Sequence, residues 1–174
     1  MEFTLFDTAL GRCGIAWGLR GIVAVQLPEA DERALRARMA RAVPGAREAS
    51  PPADVDRAIG EIGALLDGQP RALADVVLDM EDVPEFDRRV FSVARAVPPG
   101  ETITYGEIAT RIGEGGAAQA VGQALGRNPF PIVVPCHRVL AAGGGIGGFS
   151  ARGGVATKRR MLAIEGAGAP MLFV

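Results

Sequence analysis

Thr104-Tyr105-Gly106-Glu107-Ile108-Ala109, then Gly113-Glu114-Gly115-Gly116, then Ala117-Ala118-Gln119-Ala120-Val121-Gly122-Gln123-Ala124-Leu125 is the run that decides the fold of the second half of this chain. Thr104 and Glu107 have the spacing of a capping box, so a short helix opens here. The glycines stop it and supply a tight turn. A second helix then runs from Ala117 to Leu125. Helix, short glycine turn, helix is the outline of a helix-turn-helix. Ala117, Ala118, Ala120 and Gly122 make one face smooth enough for close approach by a partner backbone. A DNA groove would demand such a face, and so would tight packing in a core; composition alone does not separate the two.

Working outward, Phe86, Val90, Val93 and Val97 predict one face of a helix that stops before Pro98-Pro99-Gly100. The last helix spans Val155 to Glu165 and ends at Gly166, with Lys158-Arg159-Arg160 expected on a solvated face. Toward the amino terminus, residues 3–6, 14–17 and 21–27 read as strands, with Gly11, Gly18 and Gly21 at turns. Helices follow over Asp31 to Val43, with Leu35 and Met39 inward, and over Asp54 to Leu66, with Val55, Ile59, Ile62 and Leu66 inward. Pro44 to Pro52 is a turn-rich connector, and Val76-Val77-Leu78 has the character of an edge strand. The expected architecture is an α/β N-terminal domain, a small β-sheet with helices, over residues 1–82. A mostly α C-terminal domain with the helix-turn-helix follows over 83–174.

The chain has 174 residues, 48% of them hydrophobic, enough for a substantial core and unlike a disordered sequence. Residues 1–82 carry 14 acidic and nine basic side chains, a net of −5; residues 83–174 carry six and ten, a net of +4. A polyanionic partner would therefore be met by the carboxy-terminal half. No window is apolar and long enough to cross a bilayer, and no secretory signal opens the chain, so a cytoplasmic protein without a membrane partner is expected. Cys13 and Cys136 make a weak case for a disulfide in that compartment. Two cysteines and one histidine fall short of a four-ligand zinc site, so no metal and no cofactor are expected. Cys13 is expected as a small core residue.

The chemistry concentrates in Pro131-Ile132-Val133-Val134-Pro135-Cys136-His137-Arg138-Val139-Leu140. An apolar run delivers a cysteine beside the only histidine in the chain. A thiolate is the strongest nucleophile among side chains, and imidazole is its usual activator. A buried cysteine next to a satisfied histidine would look the same, since neighbours along a strand face opposite ways. Downstream, Gly143, Gly145 and Gly148 formally match G-x-G-x-x-G, but no helix opens there and no βαβ unit surrounds them. A flexible loop whose amides line a pocket fits better.

Pro135-Cys136-His137-Arg138-Val139, preceded by Asn128-Pro129 and Pro131, resembles the active-site signature of the O(6)-alkylguanine-DNA alkyltransferases. Residues 104–109, the segment Ala117 to Arg127, the Gly-rich loop and the helix from Lys158 to Glu165 stand in that family's order and near its spacing. The resemblance covers about residues 84–166. It implies DNA repair by direct damage reversal: irreversible, stoichiometric transfer of an alkyl group from O(6)-alkylguanine, and by extension O(4)-alkylthymine, onto Cys136. His137 would activate Cys136 through a water, Glu165 would orient His137, and Tyr105 would protonate the departing guanine. The resemblance also implies a monomer that holds the DNA minor groove through Ala118, Gln119, Ala120, Gly122 and Arg127. Asn128, Val139, Phe149 and Ser150 would line the pocket for the extruded base.

Gln119 stands where the family usually has an arginine that fills the gap left by the flipped base. Ala151-Arg152 lengthens the loop after Ser150 by about two residues relative to the commonest family form, and Phe149 replaces a frequent tyrosine. Two other readings are weighed. A damage-recognition relative would bind alkylated DNA and recruit other factors, yet such relatives typically lack the cysteine. A turnover Cys-His hydrolase would draw its histidine from a distant part of the chain.

Overall fold

The computed structural model describes residues 1–167. Alternating apolar residues around glycine turns form an antiparallel meander of β1 (Glu2–Thr8), β2 (Gly11–Gly18) and β3 (Gly21–Gln26). Gly21 is required at its turn: its φ is +132°, and a Cβ there would sit 2.6 Å from the Val77 carbonyl oxygen. α1 (Glu32–Ala42) is capped by Asp31, whose carboxylate accepts the Ala34 amide at 2.8 Å. It buries Leu35 and Met39, and Met39 meets Ala16 and Ala24 on one face of the sheet. β4 (Arg47–Glu48) pairs parallel with β1 and gives the order β3-β2-β1-β4. α2 (Ala53–Leu66) sends Val55, Ile62 and Leu65 into the cluster that holds Cys13, Ile15 and Trp17 from the other sheet face. Because both faces are covered, β2 is buried continuously from Cys13 to Trp17.

Val76 to Leu78 does not form the expected edge strand. It makes one parallel bridge, Ile22 to Leu78, with hydrogen bonds from Ile22 N to Val77 O and from Asp79 N to Ile22 O. Arg95 explains why the segment does not extend along β3: its guanidinium collects the carbonyls of Leu73, Ala74 and Val76 and pulls them toward the second half.

α3 (Glu85–Arg95) stops before the prolines, as its sequence predicts, but its inward face is Asp87, Val90, Phe91 and Ala94. Phe86 and Val93 are only half-buried, and Val97 is buried beyond the helix end. Val90, Phe91 and Ala94, fully buried in the main core, set that face, and Asp87 on the same side is paired by Arg127, which donates to its carboxylate at 2.9 and 3.1 Å. β5 (Ile103–Thr104) then leads into α4 (Tyr105–Arg111), where both hydrogen bonds of the capping box form. α5 (Ala118–Gly126) completes the helix-turn-helix, with Val121, Ala124 and Leu125 inward. β6 (Val139–Leu140) pairs with β5, and α6 (Gly154–Ile164) packs on the turn at Cys136–Arg138.

The main core runs from Phe6, Ile15 and Trp17 through Ile62 and Leu65 to Phe91, Ile108, Val121, Phe130 and Met161. It therefore crosses the expected division at residue 82. Residues 168–174, assigned to the second half from the sequence, lie outside the described residues. Among the described residues no helix is long and apolar enough to cross a membrane.

Candidate active site

The site is built on the turn after α5. Asn128 Nδ2 donates to Val134 O at 2.9 Å, and its Oδ1 accepts the Phe130 amide at 2.9 Å, so one side chain closes both ends of the turn. Ile132 sits at φ +76°, a left-handed conformation that costs a β-branched residue about 1–2 kcal/mol. Burial of Phe130, Ile132, Val133 and Val134 holds it there. The edge of β3 adds support from the first half, with Val25 N donating to Pro129 O at 2.9 Å. Cys136–Arg138 is then a single 3₁₀ turn, not a strand. Its residues are set about 120° apart around the axis, so Cys136 and His137 do not face opposite ways.

His137 is fully buried, and its Nε2 lies 2.8 Å from Oε1 of Glu165 at the end of α6. Arg138, buried beside it, donates through Nε to Oε2 at 2.9 Å, through Nη2 to Oε1 at 2.8 Å and through Nη1 to Val97 O at 2.7 Å. Burial alone would raise Glu165, but the hydrogen bonds and charges of Arg138 and His137 outweigh it and hold the carboxyl at about 2. Burial pushes His137 down, with Glu165 opposing and the charges of Arg138 and Lys158 adding to the shift. An ionised carboxylate only accepts, so Nε2 of the neutral imidazole carries the proton and Nδ1 offers a lone pair. That Nδ1 is buried without a hydrogen-bond partner among the described residues.

Cys136 is half-buried and lines a cavity of about 610 Å³ together with Tyr105, Ala118, Gln119, Gly122, Phe149 and Ser150. A second cavity of about 220 Å³ reaches the same cysteine from the side of β3 and α1. Burial raises the thiol; the Asn128 side chain, the Lys158 charge and the amides of Cys136 and His137 pull against it. The net direction is upward, so the resting residue is a thiol that needs a base to become a thiolate. Tyr105 is also raised, by burial first and then by Cys136, so its phenol stays protonated.

The structure thus brings Cys136, Tyr105, Ala118, Gln119, Gly122, Phe149 and Ser150 around one cavity, with His137 and Glu165 behind it. Ala120 and Arg127 are not among its walls; Arg127 is engaged with Asp87. Val139 is buried, and its carbonyl accepts Lys158 Nζ at 2.5 Å. That contact corrects the expectation for the Lys158-Arg159-Arg160 run: Arg159 and Arg160 are exposed, but Lys158 is fully buried. Lys158 shares the spacing i, i+3, i+4 with Met161 and Leu162, the signal that would have placed it inward. Arg138 was also missed as a site residue; its partner lies 27 residues away, beyond any local pattern. Cys13 is a core residue as expected, fully buried, with its thiol raised to about 11 mainly by burial.

These features define a helix-turn-helix protein with a cysteine–histidine–glutamate array at a cavity. Comparison with known proteins agrees. The model of the 6-O-methylguanine DNA methyltransferase DNA-binding domain matches residues 85–167. A methylated-DNA–protein-cysteine methyltransferase of Methanothermobacter thermautotrophicus is 37% identical over 153 residues, 88% of this chain and 78% of that protein. The crystal structure of Mycobacterium tuberculosis OGT in complex with DNA superimposes with a TM-score of 0.78 at 32% identity, over 98% of this chain and 96% of that one. The O6-methylguanine-DNA methyltransferase of Pyrococcus kodakaraensis does so with a TM-score of 0.71 at 29% identity, over 95% and 99%. The chain belongs to the methylated-DNA–protein-cysteine methyltransferase family.

Proposed function

We propose that this protein repairs DNA by taking the alkyl group of O(6)-alkylguanine onto Cys136, once per molecule. The observation that carries the reading is the imidazole of His137, fixed by an ionised Glu165 on one side and presenting an unengaged Nδ1 on the other. That arrangement makes His137 a neutral base beside a thiol that needs one.

The alkyl carbon is shielded within a duplex, so the damaged nucleotide must leave the stack, and the cavity beneath α5 receives it. α5 lies in the minor groove with Ala118, Gln119 and Gly122 toward the DNA. The thiol proton passes to His137 Nδ1 through a water. Cys136 Sγ then forms a bond to the alkyl carbon as the carbon–oxygen bond breaks, and the electron pair leaves on guanine. Tyr105 supplies the proton that keeps guanine from departing as an anion. Asn128, Val139, Phe149 and Ser150 shape the pocket around the base. The thioether has no good leaving group, so Cys136 is not regenerated.

The test is mass spectrometry after mixing the protein with DNA carrying O(6)-methylguanine. A one-methyl increase on the Cys136 peptide, absent in Cys136→Ser, is expected. Retained binding with an unshifted peptide would instead favour a protein that only recognises damage, the reading for which Gln119 leaves room.

A further inference from the structure

The steps above give Lys158 no role beyond the pull of its charge on Cys136 and His137, yet its position is costly. Its side chain is fully buried on α6, and no carboxylate pairs with it among the described residues. Removing an ammonium from water without a counter-ion is strongly unfavourable, and burial lowers this one to about 8. A leucine or methionine would fill the same core position beside Met161 and Leu162 without that penalty.

The hydrogen bonds of Nζ indicate what the lysine does. It donates to Val139 O at 2.5 Å and to Gly148 O at 3.2 Å. These carbonyls are the two feet of the Gly-rich loop. Val139 follows the Cys136–Arg138 turn and pairs with Ile103, two residues before Tyr105. Gly148 precedes Phe149 and Ser150 in the cavity wall. Between the feet, Gly143, Gly144 and Gly147 have positive φ, and the backbone hydrogen bond closing the loop runs from Ala141 N to Gly145 O. A segment so rich in glycine has much conformational freedom to lose. Tyr105 also packs on it: a Cβ at Gly147 would fall 2.7 Å from the phenol oxygen, and Lys158 Nζ lies 5.7 Å from the Tyr105 ring centroid.

We propose that Lys158 is a positioning residue for alkyl transfer: its ammonium ties the two ends of the loop over residues 140–148 and so fixes Gly147 to Ser150 against the Tyr105 phenol and Cys136. The transfer arm of the test rests on the repair reading; the loop arm does not.

Lys158→Met in the full chain removes the donors while filling the space. Without DNA, amide hydrogen exchange over residues 140–150 rises about tenfold, while peptides from α1 and α2 keep their rates. With DNA carrying O(6)-methylguanine, the limiting single-turnover rate falls about tenfold or more, and the half-saturating DNA concentration stays within about twofold. Lys158→Gln, which keeps an uncharged NH2 donor on a side chain one atom shorter, recovers part of both losses and serves as the readout if the methionine variant does not fold. Loop exchange and limiting rate within about twofold of the natural protein would overturn the proposal, as would a rise in exchange spread evenly over the chain. Failure of the natural protein to transfer would refute the repair reading and leave the loop measurement to judge Lys158.

Discussion

Arg138 grips both carboxylate oxygens of Glu165, at 2.9 and 2.8 Å, and His137 shares Oε1 at 2.8 Å. The glutamate is therefore neutralised by a permanent cation before the imidazole engages it. Burial is the first force that keeps His137 neutral; Glu165 pulls the other way, and the Arg138 charge offsets part of that pull. The neutral imidazole keeps its proton on Nε2 and stays available as a base.

Arg138→Met tests that division of labour. Removing one partner of a buried ion pair costs about 3–5 kcal/mol, which urea denaturation would register. The positive charge of Arg138 opposes protonation of His137, so its loss raises His137. The acid limb of the transfer rate against pH consequently moves to higher pH. An unmoved limb would mean that burial alone keeps the imidazole neutral.

Stability should fall with acid, and the sign follows from Glu165. Its folded value of about 2 lies below the ordinary 4.5, so its contribution is complete above 4.5 and is lost as pH falls toward 2. A shift of that size corresponds to about 3 kcal/mol. His137 is lowered as well, so it too withdraws stability as pH drops below its ordinary 6.5. In urea titrations at stepped pH, the advantage of the natural protein over Glu165→Gln is expected to shrink across the Glu165 window. A constant difference would contradict the assignment.

Gly147→Ala places a methyl group 2.7 Å from the Tyr105 oxygen at a backbone φ of +73°. The loop or the phenol must move. Displacements near 1 Å in a transfer site cost about a hundredfold in rate, so single-turnover transfer is expected to fall by about that factor. Gly60→Ala, on α2 with open space around its Cβ and away from the cavity, is the control and should keep the natural rate.

Gln119→Arg should strengthen DNA binding and make it more salt-sensitive. Gln119 is exposed on the cavity face of α5, so an arginine there meets the DNA without disturbing the core. One added positive charge at the DNA releases about one more counterion and steepens the slope of log affinity against log salt by about 0.9. Equal affinities and slopes in a salt titration would show that this position does not meet the DNA.

Local signals were legible wherever they sat close together along the chain. The capping box at Thr104 and Glu107, the inward Leu35 and Met39 of α1, the inward Val55, Ile62 and Leu66 of α2, and the glycine turns of the meander concern residues close together along the chain. Neighbouring residues dictate such geometry almost alone. The inward face of α3 differs from the expected one because Phe91 and Ala94 join Val90 in a core shared with Ile108 and Val121, and Asp87 on that side finds Arg127, 40 residues away. Lys158 looked like solvent-facing charge until Val139 and Gly148 converged on it. By itself, then, the sequence determined the elements, the helix-turn-helix and the cysteine–histidine pair, and through its motifs the family they resemble. Only the tertiary structure decided that the pair lies on a 3₁₀ turn, that Arg138 neutralises Glu165 and that a buried ammonium joins the feet of the loop. Charges inside a protein are tolerated only where distant segments bring them partners, and that information is absent from any local stretch of chain.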